Sequence, residues 1–272
     1  STDGDVEYPL GNTDVWVVKC DTAGNIIWTN TYGSFSQDIA YSMNPTADGG
    51  CILGGSITMN GLQGTVFQGV RDYFVVKVDS LGNVEWQKLF GGPDIDILKD
   101  IQQTSDGGYV MCGFVFSGGG QISTYKGGVS DVWVVKVDDT GRIEWEKSLG
   151  GTDGESAHSI LQTPDKGYLI AGDTYSTDGD ITNNLGDSDA WLVKLDSLGN
   201  IQWEKVYVDS MGDAIYSLAP TIDGGYIGAG VTYLSSTNQD LLIVKVDDTG
   251  GLMWFKRYGG TSDDHAFFIV ST

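Results

Sequence analysis

Asp131-Val-Trp-Val-Val-Lys136-Val-Asp138, a short turn through Gly141, and then Ile143-Glu-Trp145-Glu-Lys147 is the stretch that decides the fold of this chain. The pattern restarts, with like-for-like exchanges, at Asp14, Asp72, Asp189 and Asp240, so successive copies lie 58, 59, 58 and 51 residues apart. A period of this length marks an array of one supersecondary unit. It also weakens any catalytic reading of the residues that recur, because a side chain present in every copy builds the unit first.

Working outward from Asp131, each copy holds four short runs rich in Val, Ile, Trp and Tyr. In the third copy they are Val132–Val137, Ile143–Ser148, Ala157–Gln162 and Gly167–Gly172. Each is bounded by Gly, Asp, Ser or Asn, and no segment shows the 3.6-residue apolar period of a helix. The first and fourth runs are apolar on both faces, as strands packed between neighbouring sheets must be. Two hairpins recur. Asp21–Asn25, Asp79–Asn83 and Asp196–Asn200 carry Asp-x-x-Gly-Asn, with glycine supplying a positive φ. Thr46-Ala-Asp-Gly-Gly50 returns at Thr104–Gly108, Thr221–Gly225 and, with Lys166 in place of the first glycine, Thr163–Gly167. Four antiparallel strands repeated five times predict an all-β chain, a β-propeller of four-stranded blades forming one domain over residues 1–272; a repeat solenoid is the alternative.

All eight tryptophans fall on two repeat positions: Trp28, Trp86, Trp145, Trp203 and Trp254 in the second run, and Trp16, Trp133 and Trp191 in the first. Such rows read either as a sugar platform or, better, as wedges packing one blade on the next. The stretch Val137–Trp145 resembles the tryptophan-docking repeat of quinoprotein-type propellers: an Asp, a Thr-Gly turn, and Trp145 four residues after Gly141, with the turn one residue shorter. The closer resemblance is to the D-x-W-V-V-K-x-D, G-N-x-x-W-x-K and D-G-G-Y propeller repeats of secreted and surface-attached bacterial proteins. It covers essentially the whole chain and is specific for fold, not for function. It implies an extracellular or cell-surface location. Nothing matches a quinone-binding site, so no such cofactor is implied.

If strand order follows the quinoprotein propellers, each blade starts at its third run and ends on the first- and second-run strands. Ser1–Asp5 matches Ser176–Asp180, and Ile269–Thr272 matches Ile160–Thr163. The two ends are therefore expected to share one blade and close a five-bladed ring, lacking only a D-G-G-Y strand. The same frame suits a piece of a longer array within a larger multidomain chain.

Charge and cysteine narrow the function classes. The 272 residues include 15 Lys plus Arg against 37 Asp plus Glu, a net charge of −22. Such a surface repels nucleic acid and anionic membranes and attracts cations; no apolar run is long enough for membrane insertion. Cys20, Cys51 and Cys112 replace core residues of other copies, so three buried free thiols are expected rather than a disulfide framework.

Candidate sites follow from the acids. Asp38, Asp96, Glu155, Asp213 and Asp264 recur at the start of each third run; as a ring they would raise one another's pKa or recruit calcium, and individually they would cap their own turns. Asp3 and Asp5, with Asp14, and Asp178 and Asp180, with Asp187 and Asp189, sit in loops able to wrap a calcium ion, though not at EF-hand spacing. The loops after the fourth run (1–13, 57–71, 116–130, 174–188 and 233–239) are the variable segments where binding specificity resides; Met59, Leu62, Val66 and Phe67 make one of them a partner-contact patch. Lys19, Lys77, Lys136, Lys194 and Lys245 are expected in partly buried inter-blade salt bridges. His158 and His265 lack partners at metal spacing, and no P-loop, G-x-S-x-G or H-E-x-x-H is present. These features favour a non-catalytic extracellular binding or scaffold module for a glycan, protein or surface. A carbohydrate-active enzyme using axial carboxylates, with Glu155 as the odd member, and a structural segment of a large adhesin are the competing readings.

Overall fold

A computed structural model describes residues 10–58, 65–184, 187–207, 212–235 and 238–271. The first two strands, β1 (Val15–Cys20) and β2 (Ile26–Tyr32), form a two-stranded sheet. Next come β3 (Asp38–Pro45), β4 (Cys51–Ile57), β5 (Asp72–Val78) and β6 (Val84–Phe90), a four-stranded sheet in that order. The same order repeats in β7 (Asp96–Gln103), β8 (Tyr109–Val115), β9 (Asp131–Val137) and β10 (Ile143–Leu149), then in β11 (Glu155–Gln162), β12 (Tyr168–Thr174), β13 (Asp189–Leu195) and β14 (Ile201–Tyr207). It ends with β15 (Asp213–Pro220), β16 (Tyr226–Ser235), β17 (Asn238–Val246) and β18 (Leu252–Tyr258). Among the described residues there is no helix. The chain is all-β, built from antiparallel propeller-type blades, each starting at a third run.

Register repeats with the sequence. Ile57 faces Asp72, Thr174 faces Asp189 and Thr232 faces Asp240, so in these three sheets the first-run Asp meets the same repeat position of the fourth-run strand. Three first-run strands in the middle of their sheets, β5, β9 and β13, are buried at every residue, as their continuous apolar composition requires. Internal contacts divide the chain into two compact units, and the dividing line runs through the β7–β10 sheet. The first unit has a core of Val15, Val17, Leu53, Phe74, Val76 and their neighbours; that of the second includes Leu169, Leu192, Ile215, Leu242 and Val244.

The second-run tryptophans pack as wedges. Indole N–H groups of Trp28, Trp86 and Trp145 donate to the carbonyls of Ser80 (3.1 Å), Asp139 (2.9 Å) and Ser197 (3.2 Å), each in a hairpin 52 or 53 residues further on. The hairpin is shaped to receive them. In Asp196–Asn200, Asp196 Oδ1 accepts the amides of Leu198 (2.8 Å) and Asn200 (2.9 Å), and Gly199 takes φ +80° directly under the Trp145 ring. First-run Trp133 and Trp191 are fully buried, their N–H groups satisfied by Glu146 and Glu204.

Three expectations need correction. The ends do not build a shared blade: β1 and β2 stand as a two-stranded sheet, and residues 259–271 carry no strand. Among the described residues the last third run is held by Asp264 N–H to Gln239 O at 2.7 Å and Ile269 N–H to Ser217 Oγ at 3.1 Å. The cysteines are not uniformly buried: Cys112 is, Cys51 is half-buried, and Cys20 is exposed on the edge strand β1. The lysine salt bridges are intra-blade. Lys77, Lys136, Lys194 and Lys245 reach Asp48, Asp106, Asp165 and Asp223 at 2.6, 3.1, 2.9 and 3.0 Å. Antiparallel pairing sets each lysine over the hairpin that opens the adjacent strand of its own sheet, as Ile52 opposite Lys77 illustrates.

Candidate functional site

The recurrent acids lie in nodes that begin each third run. The backbone N–H of Asp38, Asp96, Glu155 and Asp213 donates to the carbonyl of Thr13, Arg71, Ser130 and Ser188 at 2.7–2.8 Å. Four of the five side chains turn back onto the preceding turn: Asp38 Oδ2 accepts Ser34 N–H (2.6 Å), Asp96 Oδ2 accepts Gly92 N–H (2.7 Å), Glu155 Oε2 accepts Gly151 N–H (2.9 Å) and Asp264 Oδ2 accepts Gly260 N–H (2.9 Å); Asp213 bonds the Thr232 side chain. Asp38, Asp96, Glu155 and Asp264 are thus turn caps, and of the five acids all but the exposed Asp264 are buried. A second carboxyl joins them. Asp72 and Asp96 both face the α-carbon of Gly91, as Asp131 and Glu155 face that of Gly150. Burial pushes Asp96 and Asp131 up to about 7, helped by the neighbouring acid, and Asp72 and Asp213 up to about 6. Desolvation dominates because no cation lies within hydrogen-bond reach of the Asp72–Asp96 pair to favour the charged form.

The loop acids sit differently. Asp178 Oδ1 accepts Thr152 N–H (2.8 Å) and Oδ2 accepts the Thr152 hydroxyl (3.0 Å), while Asp180 accepts Gly150 N–H (3.2 Å) and pairs with Lys126 at 3.3 Å. Asp187 is exposed. Asp3 and Asp5 lie outside the described residues, as do Met59 and Leu62. Of the proposed patch, Val66 is exposed whereas Phe67 folds back on the first unit's core. Among the described residues no group of three or more His, Cys, Asp or Glu is arranged to hold a metal ion. His158 lies on β11, 2.9 Å from Asp173 and edge-on to Tyr216.

The sequence pattern did not point to one concave feature. In the first unit, β6, the loop before β5 and the Thr140–Ile143 turn enclose an open groove of about 720 Å³. Gln68, Gln87 and Gln121 supply amides, Lys88 and Arg142 supply charge, and among the described residues no carboxylate lines it. The Trp86 ring, behind this lining, lies against Gly141 beside the Lys88 stem. A smaller groove of about 260 Å³ occupies the corresponding place in the second unit, lined by Lys126, Lys147, Asn200 and Asp180. Lys88 and Lys147 occupy the same position, two residues after the wedge tryptophan. That repeated lysine was the available signal; Gln68 and Gln121 come from variable loops and left none.

No known family model and no curated protein sequence matches the chain. Among solved structures, a mutant of Synechocystis apocarotenoid oxygenase is similar at 12% identity and TM-score 0.47, over 87% of this chain and 54% of that one. A eukaryotic initiation factor follows at 9% identity and TM-score 0.37, over 91% and 61%, and a neuraminidase-like protein of A/little yellow-shouldered bat at 12% and 0.36, over 75% and 62%. The chain thus spans about half the length of the first of these structures.

Proposed function

We propose that this chain is a non-catalytic extracellular binding module that holds a glycan bearing acidic groups in the groove beside Trp86. The observation carrying this reading is local charge. On a protein of net charge −22, a groove of about 720 Å³ presents Lys88, Arg142 and three glutamine amides with no lining carboxylate among the described residues. Amides reading hydroxyls, and an ammonium and a guanidinium meeting a carboxylate or sulfate, are the donors such a ligand needs. The acidic remainder of the surface repels anionic polymers in general, so only a ligand that fits the groove gains.

The hydrolase reading depends on carboxylates open to substrate. Asp131 and Glu155, its best pair, are fully buried and held by backbone amides, which favours binding over hydrolysis. Glu155→Gln should leave any turnover on glycan substrates unaltered.

An array of neutral, uronate-containing and sulfated oligosaccharides tests the proposal at constant ionic strength. Binding to the acidic classes, lost on Lys88→Ala with Arg142→Ala, is the expected result. Equal binding to neutral glycans, or none to any class, would overturn it.

A further inference from the structure

The two grooves are built on one plan from the same repeat positions, each within its own unit. In the first, Gly141 lies against the Trp86 ring; in the second, Gly199 lies against that of Trp145. Lys88 and Lys147 stand two residues after those tryptophans, and Arg142 and Asn200 directly follow those glycines. The loop before each first run is fixed alike: Asp72 Oδ2 accepts Gln68 N–H at 2.7 Å, and Asp131 Oδ2 accepts Lys126 N–H. A fourth position is held by a pair of bonds to a glycine. Gly91 N–H donates to Gln121 Oε1 at 3.0 Å and Gln121 N–H to Gly91 O at 3.1 Å. Gly150 N–H donates to Asp180 Oδ2 at 3.2 Å and Asp180 N–H to Gly150 O at 2.9 Å. Gln121 and Asp180 therefore occupy one place in the plan with different chemistry. Because Gln121 uses its oxygen on Gly91, its Nε2 remains as a donor. Asp180 has only acceptors, and it binds the Lys126 ammonium at 3.3 Å through Oδ2 and 3.4 Å through Oδ1. One of the second groove's two ammoniums is thereby neutralised, whereas Lys88 and Arg142 share a lining with no carboxylate among the described residues.

We infer that this position sets the charge each groove accepts: Gln121 opens the first groove to an acidic sugar, and Asp180 closes the second to the same ligand. For its ligand class alone the inference rests on the glycan reading of the first groove. An acidic group entering the second groove meets the like charge of Asp180, and it reaches Lys126 only by breaking the existing ion pair. A neutral amide at position 180 removes both costs. Its oxygen still accepts Gly150 N–H, its nitrogen becomes a donor, and Lys126 joins Lys147 as a second available cation, matching the charge of Lys88 with Arg142. One side chain thus separates two specificities on a shared frame.

The test is amide exchange of the full chain with an unsulfated oligouronate at constant ionic strength, read separately at each groove. In the wild type, exchange should slow at residues 65–68, 87–90 and 140–143 and stay unchanged at 124–126, 147–149 and 199–201. Gln121→Glu keeps the side-chain length and an acceptor for Gly91 N–H, and should weaken binding in the first groove by about tenfold or more. Asp180→Asn is made on the Lys88→Ala, Arg142→Ala background, where the first groove is disabled. It should bring protection to 124–126, 147–149 and 199–201. A gain of binding is a readout that a merely structural role for residue 180 does not produce, and it keeps the test decisive if Gln121→Glu fails to fold. Equal binding by Gln121→Glu, no gain with Asp180→Asn, or protection of the second groove in the wild type would overturn the inference. Failure of the glycan reading of the first groove looks different: the wild type shows no protection there, while Asp180→Asn still gains it in the second.

Discussion

At residue 199 a single hydrogen atom in place of a side chain lets one blade meet the next. Gly199 has φ +80°, and a Cβ there would lie 2.9 Å from the Trp145 ring. Gly224, in the other hairpin type, has φ +88° but open space around the same position. Gly224→Ala thus carries only the backbone term, about 1 kcal/mol, while Gly199→Ala adds displacement of the wedge and should cost about 2–3 kcal/mol. Urea midpoints of the two variants measure the difference. Equal losses would mean that Trp145 yields freely and does not lock the junction. The glycine was legible from the repeat as a turn residue; its second role, clearing space for an indole, required the structure. So did the lysine partners, since sequence gave an Asp somewhere and strand register chose the hairpin of the same sheet.

The elements that begin each third run carry a pH dependence. In Asp96 and Asp131 burial raises the pKa to about 7, against an ordinary 3.8. A raised folded value means that the folded state holds the proton more tightly. The stabilisation is therefore full below about pH 4 and lost as pH rises through about 7. The opposite group, Asp48 held low chiefly by Lys77 and Asp223 held at about 2 by Thr221 and Lys245, loses its contribution only in acid. Between pH 5 and 8 the raised set decides, and thermal stability should fall as pH increases. Asp96→Asn keeps an acceptor for Gly92 N–H without the charge, and should flatten that slope and gain about 1–3 kcal/mol at pH 8. A melting temperature that is level or rises across this range would contradict the assignment. Strand positions here were well foretold: Ile143–Ser148 became Ile143–Leu149 and Ala157–Gln162 became Glu155–Gln162. The caps were foreseen as one of two roles, but pairing of Asp96 with Asp72, 24 residues earlier, lies across a blade junction that periodicity alone does not resolve.

For the whole molecule, 37 acidic residues against 15 basic ones impose self-repulsion that added ions relieve. Millimolar calcium is expected to raise the melting temperature beyond sodium chloride matched in ionic strength, one folded-state site at a hundredfold excess over Kd adding about 2.7 kcal/mol of stability. Equal shifts would make the carboxylates a screened surface and remove Asp178, Asp180, Asp187 and the third-run acids as ligands. The four-strand unit was legible because every copy repeats it, and the order of its strands followed from the resemblance to quinoprotein-type propellers. The groove was not, because it is made where a repeated strand, β6, meets side chains that do not repeat. Its ligand is the central claim, and amide exchange of the full chain with and without an acidic oligosaccharide such as an oligouronate tests it most directly. The account predicts slower exchange at residues 65–68, 87–90 and 140–143, absent in the Lys88→Ala, Arg142→Ala double variant. Protection confined to other segments, or unaltered by that double substitution, would contradict it.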